Sequence, residues 1–260
     1  MYTCFIMKLT DEIVDWLAER IPDHKPQPNG GRPPLSKRRA LRGIFWILDN
    51  GAKWKDLPRE FGAKSAVHRY FQRWVEAGVF ENLLRQTGRL VEERGEFRVY
   101  ECFIDGSFVK AKGGGDGIGP TKAGKGVKIM IVVDARGLPV SVETMSASPH
   151  ESRLVQPLLD FMLPEQMPQR LIGDKAYDSG PLAAELAEQG VESIAPPRAN
   201  NPNSGQDGRP LRRYKRRWKV ERCLAWLQNF RRLCIRWEKH STLYRGFLHL
   251  ATVLLLIKWV

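Results

Sequence analysis

The chain lacks any cysteine pair at metal-ligand or redox spacing. Its four cysteines, Cys4, Cys102, Cys223 and Cys234, are scattered through 260 residues with no C-x-x-C. That excludes a disulfide framework or a cysteine zinc site as the basis of the fold, and it fits a reducing compartment. Long hydrophobic runs are also missing. The most apolar stretch, Leu250 to Ile257, ends at Lys258 and is too short to span a bilayer. The opening MYTCFIMKLTDEIVDW has no basic segment followed by an apolar one of signal-peptide length. A cytoplasmic protein with no membrane partner is expected. Acidic residues are few: 29 Asp and Glu stand against 42 Lys and Arg, a formal net charge of +13. With 42% hydrophobic residues a sizeable core is available, so general disorder is excluded.

The acid is unevenly distributed. Residues 1–99 carry a net of +5, residues 100–208 a net of −4, and the last 52 residues a net of +12, with Glu221 and Glu238 as their only acids. An acidic middle between basic ends suggests a carboxylate-bearing centre flanked by phosphate-binding segments, so nucleic acid is the expected partner.

Apolar spacing predicts a short helix over 10–21, closed by Pro22, then a Pro/Gly-rich linker through Pro34. Ser36 is a suitable N-cap for a helix to about 49, and Arg32, Lys37, Arg38, Arg39 and Arg42 cluster around its entry. A short helix over 54–61, a turn at Gly62–Lys64 and a longer helix opened by Ser65 follow. Val67, Tyr70, Phe71 and Trp74 would face inward and Lys64, His68, Arg69, Gln72 and Arg73 outward. Helix, glycine turn and basic helix form a helix-turn-helix pattern, and Arg and Gln suit bidentate base contacts. An ordinary helical bundle with a charged surface has the same pattern.

From Phe97 the period changes to that of strands. FRVYECFIDGSFVKA, KIMIVVD and PVSVETMSA are strand-like, followed by a helix over 151–163, a strand in RLIGDKAYDS, a helix over 181–189, a strand in VESIAPP and a long helix over 211–231. This order predicts an α/β domain with a mixed sheet. The division expected is a helical DNA-binding region over 1–95 and a catalytic domain over 96–260. The glycine-rich segment 113–126 has no Ser or Thr after Gly124-Lys125, so it suits a lid or strand connector better than a phosphate cradle.

Three carboxylates stand out. Asp105 lies in the apolar strand FIDGS, Asp174 follows the apolar LIG, and Glu221 is isolated among basic neighbours. A buried carboxylate is costly unless paired, turned to a cleft or bound to a cation. Each also has an ordinary explanation: a turn cap, a strand end, an ion-pair partner for Arg217. Together, hard oxygen donors in a basic protein suit Mg²⁺ or Mn²⁺, and two such ions about 3.5–4 Å apart support in-line displacement at phosphorus. Tyr214, Arg217, Glu221 and Gln228 would share one face of the last predicted helix. His150, in S-P-H-E-S, suits a helix cap or a DNA contact better than a base.

These residues carry a resemblance. GGRPPLSKRRALRGIFWILDNGAKWKDLPREFG, FIDGSF, IGDKAYDS and YKRRWKVERCLAWLQNFRRL, in that order, resemble bacterial insertion-sequence transposases of the DDE type, in the family numbered five and its relative numbered four. The resemblance implies a ribonuclease H-like catalytic domain with Asp105, Asp174 and Glu221 as a triad for two Mg²⁺ (or Mn²⁺) ions. Tyr214 and Arg217 match Y-x-x-R-x-x-x-E, while the signature lysine seven residues after the Glu is replaced by Gln228, with Lys219 or Arg231 as candidate substitutes. The implied activity is binding of terminal inverted repeats, strand cleavage and transfer of the 3′-OH to target DNA, with synapsis by a homodimer on DNA. A non-catalytic DNA-binding regulator and a structure-selective nuclease of the same fold are the alternatives.

Overall fold

The computed structural model describes residues 9–23, 33–121, 124–198 and 211–260. Cys4, Arg32, the residues at 122–123 in the glycine-rich loop and all of the polar stretch after Arg198 up to 210 lie outside them.

The chain opens with α1 (Asp11–Arg20) and α2 (Lys37–Asn50), followed by two 3-10 turns at Trp54–Asp56 and Arg59–Phe61. Thr10 and Ser36 cap the first two helices through their hydroxyls, which accept from the Ile13 and Arg39 N–H groups at 3.3 Å each. The single helix expected over 54–61 is broken because Pro58 has no N–H and disfavours helix at Leu57, whose ψ is 125°. Next come α3 (Lys64–Glu76) and α4 (Val79–Glu93). The helix expected from Ser65 thus starts one residue earlier and ends before Gly78, whose φ of 67° is left-handed.

The second half contains β1 (Cys102–Ala111), β2 (Gly119–Thr121), β3 (Gly124–Val133) and β4 (Pro139–Ser146). A 3-10 turn at Glu151–Leu154 leads into α5 (Val155–Leu159), so the helix expected over 151–163 is shorter and partly 3-10. Then come β5 (Arg170–Ile172), α6 (Gly180–Glu188) and β6 (Glu192–Ile194). After the undescribed stretch lie α7 (Leu211–Tyr214), α8 (Trp218–Gln228), α9 (Arg231–Cys234), β7 (Ile235–Arg236) and α10 (Ser241–Leu256).

The sheet is mixed. β1 pairs antiparallel with β3 and parallel with β5 and β7; β3 pairs antiparallel with β2 and β4, and β5 parallel with β6. Strand alternation sends Phe103, Val109, Ile129, Ile131 and Val133 to one face, where they join the N-terminal helices, α8 and α10 in one core. Cys102, Ile104, Met130 and Val132 go to the other face and pack with α5 and α6. Val14, Leu41, Phe71 and Leu84 of the helical region therefore share a core with the sheet. α10 runs through that core, buried from Gly246 to Leu256. Gly246 permits its approach to α3, since a Cβ there would meet Val75 Cγ2 at 2.5 Å. No helix among the described residues is long and apolar enough to cross a membrane.

One detail of the pairing positions the site. β5 reaches only Cys102 and Phe103 of β1, and β7 only Lys110 and Ala111. Between them, residues 104–109 present an open strand edge.

Candidate active site

Asp105 sits at the start of that open edge, where the apolar run Phe103-Ile104 ends. Its Oδ1 accepts from the Gly106 N–H at 2.9 Å, and its Oδ2 lies 3.1 Å from Arg217 Nη1. Burial pushes the Asp105 carboxyl up from its ordinary range. Arg217 and the Gly106 N–H pull it back, and the nearby Asp174 charge pushes it up again. Asp174 follows β5 and opens the 3-10 turn Lys175–Tyr177, its Oδ1 accepting from the Ala176 N–H at 2.7 Å.

Glu221 lies in the first turn of α8, with its Oε1 2.9 Å from Arg217 Nη2. Arg217 thus bridges Asp105 and Glu221 from a half-buried position, and its Nη1 has no well-oriented hydrogen-bond acceptor. Burial alone would lower the guanidinium pKa, but Asp105, Tyr214, Glu221 and Asp174 together hold it above its ordinary value. The Tyr214 ring lies under it, 5.8 Å from the guanidinium carbon.

The expected continuous helix over 211–231 is three pieces, α7, α8 and α9. Basic residues four apart, Arg212/Arg216, Arg213/Arg217 and Lys215/Lys219, repel along one helix. Arg213 and Arg216 turn instead to the buried Glu101, at 3.7 and 2.6 Å. Arg217 keeps helical dihedrals as the residue before α8, which preserves its four-residue reach to Glu221. Gln228 closes α8, and its amide donates to Ser107 Oγ at 3.1 Å, two residues along β1 from Asp105. Lys219, a candidate for the signature lysine's place, donates to the Ala135 carbonyl.

A fourth carboxylate, which no sequence motif marks, joins them. Glu151 lies beside Gly106, its carboxyl carbon 3.6 Å from where a Cβ there would stand, and its Oε1 is 3.8 Å from the buried Lys128 ammonium. Burial raises its pKa most, Lys128 lowers it, and Asp174 and Asp105 raise it further. Tyr177, pushed well above 10 by burial, senses Glu151, Asp105 and Asp174. The signal was present in S-P-H-E-S, but an acid at the first turn of a helix has an ordinary role in offsetting the helix dipole. His150 does cap that turn, accepting from the Ser152 N–H.

The helical residues fall elsewhere. Lys64, Arg69 and Arg73 are exposed on α3, and Gln72 is partly so. His68 departs from the expected outward face: its ring packs on Trp54 at 4.5 Å, and burial followed by the nearby Arg232 lowers its pKa. The structure brings Asp105, Asp174, Glu221, Tyr214, Arg217 and Gln228 around the open edge of β1. Among the described residues no three carboxylates, histidines or cysteines converge closely enough to hold a metal ion as they stand.

A mixed five-strand path carrying an acid in its central strand, a second after the neighbouring parallel strand and a third on a covering helix defines a ribonuclease H-like fold. The chain is similar over 96% of its length, and 73% of the other chain, to a piggyBac transposase seen in a synaptic complex with hairpin DNA, with a TM-score of 0.53 and 11% identity. Residues 100–256 match the family described as "Transposase DDE domain", and residues 9–84 match "Putative transposase of IS4/5 family". The chain belongs to the DDE transposase family. A "Putative transposase for insertion sequence element IS402" from Burkholderia cepacia is 34% identical over 148 residues, 54% of this chain and 67% of that protein. A Brucella ovis protein with the corresponding name for element IS6501 is 30% identical over 135 residues, 50% of this chain and 98% of the relative.

Proposed function

We propose that this chain binds the terminal inverted repeats of an insertion sequence, cuts the DNA ends with divalent metal and joins them to target DNA. The observation that carries this reading is the bridge Asp105–Arg217–Glu221 at an open strand edge within electrostatic reach of Asp174. The donor set is all carboxylate oxygen, the chemistry Mg²⁺ or Mn²⁺ prefers. Arg217, with one buried N–H group poorly satisfied, is the cation now held between two of those carboxylates. Asp105, Asp174 and Glu221 are the residues that would hold two such ions, once the carboxylates that Arg217 now bridges are released to draw closer than they stand. When bound, the ions supply charge neutralisation at phosphorus and an activated oxygen nucleophile.

The chain's own residues do the rest. Arg217, carried on the Tyr214 ring, offers a planar fork matched to a phosphate, which would compete with Asp105 and Glu221 for it. Gln228 tethers the end of α8 to β1 through Ser107 and fixes the distance from Glu221 to Asp105. In the helical region over 1–95, Lys64, Arg69, Gln72 and Arg73 on α3 form the repeat-reading face, with His68 supporting it from its contact with Trp54. The catalytic part, over 96–260, takes the repeat ends and target DNA, and synapsis pairs two copies on DNA.

Asp174→Asn tests the triad. The variant is expected to keep repeat binding in a mobility-shift assay and to lose Mg²⁺-dependent cleavage. Undiminished cleavage would refute the assignment. Binding without any cutting by the unaltered protein would favour a regulator, and cutting without joining a nuclease. Replacing Arg69 and Gln72 together is expected to cost discrimination between the repeat and random DNA; equal loss on both would mean phosphate contacts alone.

A further inference from the structure

Beyond the carboxylates, β1 carries a row of side chains that neither the core nor the triad uses. Phe108 is 54% exposed, a large apolar ring on the sheet face opposite Asp105. Lys110, also exposed, shares its sheet face by strand alternation. The face continues past the strand end: Lys112 places its ammonium 5.1 Å from the centre of the Trp237 ring, and Trp237 is 39% exposed. The pairing explains the meeting. Ala111 is opposite Arg236, so the next residues, Lys112 and Trp237, emerge together on the other face. On its inner side Phe108 is backed by the buried Lys128 ammonium, 5.1 Å from the ring centre and anchored to the Pro149 carbonyl at 2.7 Å.

We infer that this row, Phe108–Lys110–Lys112–Trp237, on the face of the sheet opposite the Asp105 side chain, is a platform for an unpaired strand of DNA. The inference rests on the DNA-cutting reading above and adds a surface for unpaired DNA on the reverse face of the sheet from α8. Aromatic rings stack on bases whatever their sequence, and lysines between them meet the backbone phosphates. Strand alternation turns Phe108 and Lys110 to the opposite sheet face from Asp105 and Ser107, which α8 holds through Arg217 and Gln228. Both rings stay exposed among the described residues, with surface open to a stacking partner. Duplex DNA keeps its bases stacked inside and cannot use them, so the surface selects an unpaired segment.

The test uses the full chain, without divalent metal so that no cutting occurs, and fluorescence anisotropy with a labelled single-stranded oligonucleotide and the duplex of the same sequence. Phe108→Ala combined with Trp237→Ala is expected to weaken single-strand binding by about 5- to 100-fold while leaving duplex binding within twofold. Phe108→Trp is expected to retain single-strand affinity, which separates stacking from misfolding. Lys110→Ala with Lys112→Ala is expected to flatten the salt dependence of single-strand binding. Unchanged single-strand affinity in the aromatic double variant, or equal loss on the duplex, would overturn the inference. A 2-aminopurine placed within the single-stranded oligonucleotide should also be quenched on binding by the unaltered protein and not by Phe108→Ala. Because these readings need no cleavage, they stand apart from the Asp174→Asn result: loss of the triad assignment leaves them readable, and the reverse.

Discussion

His249 lies in the middle of α10, 2% exposed, with Nε2 lacking any hydrogen-bond partner among the described residues. Its ring stacks on Phe161 at 5.4 Å and 9°, and the Arg85 guanidinium lies over the same Phe161 ring at 4.4 Å. Burial drives its pKa from 6.5 to about 3, and Arg245 and Arg85 push it the same way. The acids facing these arginines are Glu81 and Glu143, which pair with Arg245 at 3.5 and 3.4 Å, and Glu81 also with Arg85 at 3.2 Å. In the fold His249 is neutral throughout the working range, whereas unfolded it takes up a proton below pH 6.5. Its contribution is thus fully present above pH 6.5 and is lost as pH falls toward the folded value. Linkage gives about 1.4 kcal/mol per pH unit, hence about 2 kcal/mol lost by pH 5 and about 3 kcal/mol by pH 4. Carboxyls with raised pKa, such as Glu143 and Asp134, act in the opposite sense, so the comparison must be between variants. Urea unfolding of the unaltered chain and His249→Phe, from pH 7.5 to 4.5, isolates the term. The difference in unfolding free energy should shift in favour of His249→Phe by about 2 kcal/mol between pH 7 and pH 5. Parallel curves for the two proteins would refute the reasoning.

Two further outcomes follow from ion pairs. Arg232 and Glu238 are 5% and 3% exposed, 2.6 Å apart, and Arg232 also holds the Ala52 carbonyl at 2.7 Å, joining α9 to the segment after α2. Glu238→Ala leaves a buried guanidinium unpaired and is expected to cost about 3–5 kcal/mol in denaturant melts; a loss under 1 kcal/mol would show that water reaches Arg232. Arg217→Met removes the positive partner of Asp105, whose pKa burial already raises. The folded state then holds the Asp105 proton to higher pH, so the destabilisation, about 1–3 kcal/mol at pH 7, should shrink as pH falls and also shrink when Mn²⁺ is added. A melting temperature indifferent to both would place Arg217 outside the carboxylate cluster.

Much of the site was legible because local chemistry marks it. Asp105 and Asp174 each end an apolar strand, and Glu221 is nearly alone in a basic segment, so a carboxylate in each place has to be explained. Thr10 and Ser36 do for the structure what capping chemistry requires of them. Glu151 is not marked by the sequence, because an acid at a helix start has a sufficient local explanation; only the closing of β1 against the turn after β4 puts it beside Gly106. Helical spacing turns His68 outward, yet Trp54, from a 3-10 turn, covers it. The helix over 211–231 looked continuous since no Gly or Pro breaks it, and repulsion among its arginines is resolved only by Glu101, more than a hundred residues away.

By itself the sequence determined the strand and helix periods, the excess of positive charge and the order of the acids, because these depend on residues within one turn or one strand of each other. The tertiary structure alone decided how the acids meet. β5 and β7 are too short to cover β1 between residues 104 and 109, and that gap opens the edge where Asp105 stands. It also decided that the +12 of the last 52 residues is not a uniform phosphate-binding surface. Arg213 and Arg216 are drawn to Glu101, Arg232 to Glu238, Arg236 to Asp116, and Arg217 into the carboxylates themselves. A count of charges cannot anticipate this, because the partner of each arginine is chosen by packing across the sheet rather than by neighbours in the chain.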